Sequence, residues 1–278
     1  MFNACRQSTA AKMENHLTSM IKKEKGDSWD TNYFAENVNM IRYQMIEKYD
    51  GKKKALKFIE QNLQYSDIRA MAIKNAMEKK DYDLVIKLAQ DGEEKDKDLA
   101  GLVHQWKEFR YQAYKKSAKL EEQRDMAIDF VLDGSFEYYM ELKSTYEIKD
   151  WTSIYPKIIF LLENQKRMHQ DVYTRVLIAE GEKQKLLDYV KARPSSIENF
   201  YRHLVPDYQD DVYAVFVFYI KQTAARATSR RHYQEVCSII RTLKKAGGKK
   251  EAAVVTQALL IEYPKKPAFR DELTKIRP

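Results

Sequence analysis

Apolar residues recur along this chain at three- and four-residue steps, the interval that places side chains on one face of an α-helix. Phe34, Val38, Ile41, Met45 and Tyr49 form one such stripe, closed by Asp50-Gly51, and Ala55, Leu56, Ile59 and Leu63 make the returning helix. A break at Tyr65-Ser66 precedes Ile68, Ala72 and Ala76. Lys80-Asp81 then turns into Leu84, Val85, Leu88 and Ala89, a run that ends at Asp91-Gly92. Each pair takes roughly thirty residues, the period of helical-hairpin repeats. Glu93 to Asp98 is continuously charged or polar and reads as a solvated loop.

The same grammar continues. Leu99, Leu102, Val103, Trp106, Phe109 and Ala113 predict a long helix, partnered by Met126, Phe130 and Val131 up to Asp133-Gly134. Trp151, Ile154, Tyr155, Ile158, Leu161 and Leu162 make a clean stripe, but Pro156 would break a helix interior. That helix is therefore expected to start near Thr152 or Ser153, or else to kink. Val172 to Leu177 and Leu186 to Val190 pair across Glu180-Gly181, and Val212 to Ala227 is strongly apolar. No stretch alternates with period two, so strands are not expected.

The last fifty residues state the pattern most clearly. Tyr233, Val236, Cys237, Ile240 and Leu243 share a face, and Gly247-Gly248 ends that helix, glycine being the residue that enters left-handed φ without steric cost. Ala252 to Ile261 is apolar nearly all round and is expected to be covered on both sides. Pro267 suits the first turn of a capping helix, 267–276, whose Phe269, Leu273 and Ile276 should bury against Ala252 to Ile261.

Composition narrows the class. Eight glycines and six prolines in 278 residues are too few for an all-β fold. No apolar run approaches the eighteen residues of a membrane span, and residues 1–20 lack the plan of a signal peptide. Cys5 and Cys237 cannot build a disulfide framework, which favours a reducing, cytoplasmic setting. Charge is uneven: net +8 overall, with 14 basic and 5 acidic residues from Lys221 to Pro278.

Candidate chemistry is sparse. His16, His104, His169, His203 and His232 fall in different segments without partners at metal-ligand spacing. Gly247-Gly248-Lys249-Lys250 lacks the strand and upstream glycine of a phosphate-binding loop. No enzyme, metal site or cofactor is expected. Two binding features remain. Arg226, Arg230, Arg231, Arg241, Lys244, Lys245, Lys249 and Lys250 could present a basic surface to nucleic-acid phosphates or other anions. Trp106, Tyr111 and Tyr114 could line a peptide groove.

Tyr233, Gly247-Gly248 and the run Tyr263-Pro264-Lys265-Lys266-Pro267-Ala268-Phe269 followed by Glu272-Leu273 resemble the C-terminal tail of bacterial SWIM-type zinc-finger proteins. In that family a helical-repeat region follows the finger. The finger's Cys-x-Cys and Cys-x-His ligands are absent here, so the resemblance implies the repeat region alone, associated with protein or nucleic acid.

The expected fold is all-α, a right-handed α-α superhelix of about seven helical hairpins, TPR- or HEAT-like. Residues 1–28 form a polar segment, disordered or one loose helix, and 29–278 the repeat domain. The expected function is a non-catalytic scaffold for a protein or peptide partner, with nucleic-acid binding through the basic C-terminal quarter as the alternative.

Overall fold

The computed structural model describes residues 12–13, 15–20, 29–165 and 169–276. Most of the 1–28 segment lies outside them, though 12–13 and 15–20 are helical and Leu17 is buried. Among the described residues there are helices and turns but no strands, as the period-3.6 pattern dictates. In order they are α1 Trp29–Asp50, α2 Lys52–Gln61, α3 Ser66–Glu78, α4 Tyr82–Lys95, α5 Ala100–Lys116, α6 Leu120–Leu132, α7 Phe136–Ser144 and α8 Ile148–Glu163. There follow α9 Gln170–Glu180, α10 Lys183–Ala192, a 3-10 turn Pro194–Ser196, α11 Ile197–Leu204, α12 Gln209–Arg226, α13 Arg230–Lys245, α14 Lys249–Glu262 and α15 Pro267–Thr274. Two compact units result: residues 1–130 with 140–148, and residues 131–139 with 149–278.

In the first unit each helix of α1–α5 packs on its sequence neighbours. Ile46, Ala55, Phe58, Ile59 and Ile68 form one core cluster, and Ile73, Val85, Leu88, Ala89, Trp106 and Ala113 contribute to a second. Glu36 of α1 starts α3 by accepting from Ser66 twice, at 3.0 Å from the amide and 2.6 Å from the hydroxyl. A carboxylate satisfies the orphan donors of a helix start and complements its dipole.

Gly92 departs from expectation. α4 does not stop there but runs on to Lys95, and a Cβ at residue 92 would lie 2.8–2.9 Å from three atoms of the Trp106 ring. The glycine is a contact surface for the indole, not a terminator. Asp96 likewise is no solvated loop residue. Its Oδ2 accepts from Arg69 Nη1 of α3 and from Trp106 Nε1 of α5, both at 2.8 Å.

In the second unit α8 carries Pro156 inside it and begins at Ile148, earlier than expected. Thr152 and Ser153 donate back to the carbonyls of Lys149 and Asp150 instead of capping. Glu180 Oε1 accepts from Tyr139 at 2.6 Å and its Oε2 from Trp151 Nε1 at 3.3 Å, anchoring the end of α9. α13 starts where Ser229 accepts from the His232 amide and ends at Gly247. Gly247 has φ +105°, and the Gly247 and Gly248 amides reach back to the Lys244 and Leu243 carbonyls at 3.1 and 3.0 Å. That is a Schellman stop.

Candidate functional site

Trp106 and Tyr111 do not line a groove. Both are 0% exposed: the indole is held by Asp96, and the Tyr111 hydroxyl donates to Glu141 Oε2 at 2.8 Å. Burial, with Glu141 adding to it, pushes the Tyr111 hydroxyl up to about 12. Tyr114 is only half-buried. An apolar helix stripe is ambiguous between seam and groove, and here the seam takes Trp106 and Tyr111.

The eight basic residues are not equivalent. Arg230 Nη2 lies 2.5 Å from Asp271 and its Nε 3.3 Å from Glu272, so Arg230 ties the lid helix α15 to α13. Lys275 contacts the same two acids, and its ammonium, with Arg230 behind it, holds the Asp271 carboxyl below the usual range. Phe269 stacks on Tyr233 of α13 at 4.7 Å, and Phe269 and Leu273 are fully buried. The lid therefore seats chiefly on α13, with less contact to α14 than expected. Arg231 and Arg241 are exposed on α13, and Lys245 at its end. Cys237, buried beneath, has its thiol pushed up to about 11 by burial.

Arg226 belongs to a different feature, a polar cavity of about 440 Å³ also lined by Ser195, Tyr219, Gln222, Thr223, His232 and Glu235. Burial, with Glu198 and Glu235 nearby, raises the Tyr219 hydroxyl above its ordinary value. Lys244, Lys249 and Lys250 come together elsewhere. They line a cavity of about 460 Å³ with Ala252, Ala253, Thr256, Gln257 and Ile276.

A second cavity of about 180 Å³ flanks α14, lined by Val217 and Lys221 of α12 and by Lys250, Glu251, Val254, Val255 and Ala258 of α14. Lys250 is common to both. α14 is thus not covered on both sides. Ala252, Val255 and Leu259 are buried, whereas Val254 is 64% and Ile261 71% exposed. Their spacing explains the division. Residues 252, 255 and 259 make one stripe, and 250, 254, 258 and 261 make the opposite one at i, i+4, i+8 and i+11. The α12–α13–α14 packing satisfies only the first stripe. Phe218, three residues from Lys221 on α12, is 56% exposed.

Sequence reasoning found Lys244, Lys249 and Lys250 but missed Lys221, Val217, Val254 and Ile261. The available signal was a stripe joining Lys250 to Val254 and Ile261, hidden because α14 is apolar on every side. Among the described residues, no group of three His, Cys, Asp or Glu side chains could hold a metal ion, and no helix is long and apolar enough to cross a membrane. No protein-family model matches the chain, and no curated protein is detectably similar to it.

Proposed function

We propose that this chain is a non-catalytic scaffold of stacked helical hairpins that holds a protein partner on the outer face of α14. The observation that carries this reading is the exposure of Val254 and Ile261 on one stripe of a helix flanked by two cavities, the smaller of which Val254 lines. Large aliphatic side chains left in water together lose about 25 cal/mol for every Å² not buried, and a patch rimmed by charge is the usual form of an interaction site. Packing of helices on their sequence neighbours in α1–α5 and in α9–α15 supports an array of helical hairpins, TPR- or HEAT-like. The likeness of Tyr233, Gly247-Gly248 and 263–273 to the repeat region of SWIM-type zinc-finger proteins supports the same reading, in a cytoplasmic setting.

The test compares the wild-type chain with a Val254→Asp/Ile261→Asp double variant in extracts of the cells that express it. A partner is identified by mass spectrometry, purified and recombined with each protein. The reading expects a complex with the wild type and at least a tenfold loss with the variant. It is overturned if the recombined complex is indifferent to both substitutions. A second reading draws on the convergence of Lys244, Lys249 and Lys250, which suits phosphates. It predicts duplex binding whose log affinity falls with log salt by about 0.9 per phosphate neutralised.

A further inference from the structure

Resting on that docking reading, we infer the chemistry of the partner: an amphipathic helix whose apolar side chains meet Val254 and Ile261 and whose carboxylates, gathered at one end, meet Lys249 and Lys250.

The helical form follows from what this surface offers. An extended peptide gains its affinity by adding to a sheet edge, and among the described residues there is none. A polyproline segment needs an aromatic-lined groove and a phosphopeptide an arginine cluster, and the two hollows beside α14 are lined by neither; an amphipathic helix laid into an apolar groove fits what is there. α14 has 14 residues, about 21 Å at ~1.5 Å per residue, so a partner helix of about 15 residues spans it. The flanking cavities, about 180 and 460 Å³, are hollows that protruding side chains can fill.

The acidic character follows from the rim. Lys221, Lys244, Lys249 and Lys250 line the two cavities against Glu251 as the single acid among their lining residues. This charge also argues against a second copy of the chain, which would set lysines against lysines. The polarity follows from position. Lys249 and Lys250 stand at the N-terminus of α14, where the helix dipole adds its own positive field, while Glu262 ends the helix beside Ile261. Val254 lies one turn beyond Lys250 and Ile261 two turns further. The partner's carboxylates therefore belong over the first turn of α14, and its apolar anchors over the rest. A flat lipid surface or a phosphate backbone would leave the hollows beside Val254 empty.

Three fluorescein-labelled synthetic 15-mers test this by anisotropy. All place leucine at i, i+3, i+4 and i+7 steps except the third, where serine replaces leucine. The first carries glutamate in its N-terminal half, the second lysine there, and the third keeps the glutamates. The expected result is saturable binding of the first alone, weakened at least tenfold by Lys249→Glu/Lys250→Glu and by Val254→Asp/Ile261→Asp. Far-UV circular dichroism should be unchanged in both variants, because the side chains they alter are exposed. The charge-reversed Lys249→Glu/Lys250→Glu variant should gain affinity for the second peptide. Equal binding of the first two peptides would overturn the acidic assignment and leave the docking reading standing. Binding of the serine peptide as tight as the first would overturn the apolar anchoring. If none of the peptides binds, but a 20-base-pair duplex or vesicles containing anionic lipid do and lose affinity in the same variants, the helix proposal and the docking reading fall together. If no probe binds, the helix proposal falls, and the docking reading is judged by the recombined complex alone.

Discussion

Gly92→Ala should destabilise the first unit although alanine is the better helix former. On propensity alone, alanine in the interior of α4 gains about 1 kcal/mol. The new Cβ, however, would lie 2.8 Å from Cδ2 and Cγ of Trp106 and 2.9 Å from Cδ1. Ordinary carbon–carbon contact is about 3.5–4.0 Å, so the ring must retreat by roughly 0.7 Å or more. It has nowhere to go: Trp106 is fully buried, and its Nε1 is bonded at 2.8 Å to Asp96, itself fixed by Arg69. Overpacking a dense core costs about 1–3 kcal/mol, and a strained bond to a charged acceptor forfeits part of a further ~1.5–3 kcal/mol. The overpacking and the bond outweigh propensity, for a net loss of about 1–3 kcal/mol. Gly101→Ala is the control, since that position in α5 meets nothing within 4 Å; it should be neutral or stabilising by up to ~1 kcal/mol. Urea titrations followed at 222 nm would compare the two. A Gly92→Ala protein as stable as the wild type, or two substitutions shifting the midpoint the same way, would refute the argument that the indole uses the glycine as its seat.

Two other outcomes follow from buried groups. Burial raises the Tyr111 hydroxyl to about 12, and Tyr139, bonded to Glu180, is shifted further in the same direction. A raised acid stays protonated in the folded state after it would ionise in the unfolded chain. Its contribution is thus intact below about pH 10 and is lost as pH climbs toward 12. Stability should fall by up to ~1.4 kcal/mol per pH unit for each such group, and Tyr111→Phe should flatten the fall, which alkaline thermal melts would detect. Phe269→Ala, which empties the fully buried stack on Tyr233, should cost about 3–5 kcal/mol. A melting temperature within a degree of the wild type would show the lid to be dispensable.

Helices were the legible part of this chain, because their apolar spacing is a local property. α1 through α5 and the Gly247 stop declare themselves within a few residues. Asp96 was not legible. It sits in a charged run that reads as solvated, and its character comes from Arg69, 27 residues earlier, and Trp106, ten residues later. Gly92 failed for a related reason: in a sequence, a helix-ending glycine and one making room for a ring look alike. Trp106 and Tyr111 show the converse ambiguity, since a stripe reports that a side chain seeks cover and not what covers it.

The basic C-terminal quarter shows how far charge counting carries. Its excess of lysine and arginine is real, yet the residues divide by what the chain sets opposite them. Arg230 faces Asp271 and Glu272, acids brought over α13 by the lid, and so it spends its charge holding the fold together. Arg226 joins a mixed polar cavity with Glu235. Lys249 and Lys250 begin α14 where no acid of the lid is paired with them among the described residues, beside a helix whose outer stripe is aliphatic. A cation whose acid is supplied from within contributes chiefly to stability. One set at a helix start, next to unburied valine and isoleucine, has both its charge and its neighbours directed outward. That difference singles out α14, and not the basic quarter as a whole, as the surface where a partner should be sought.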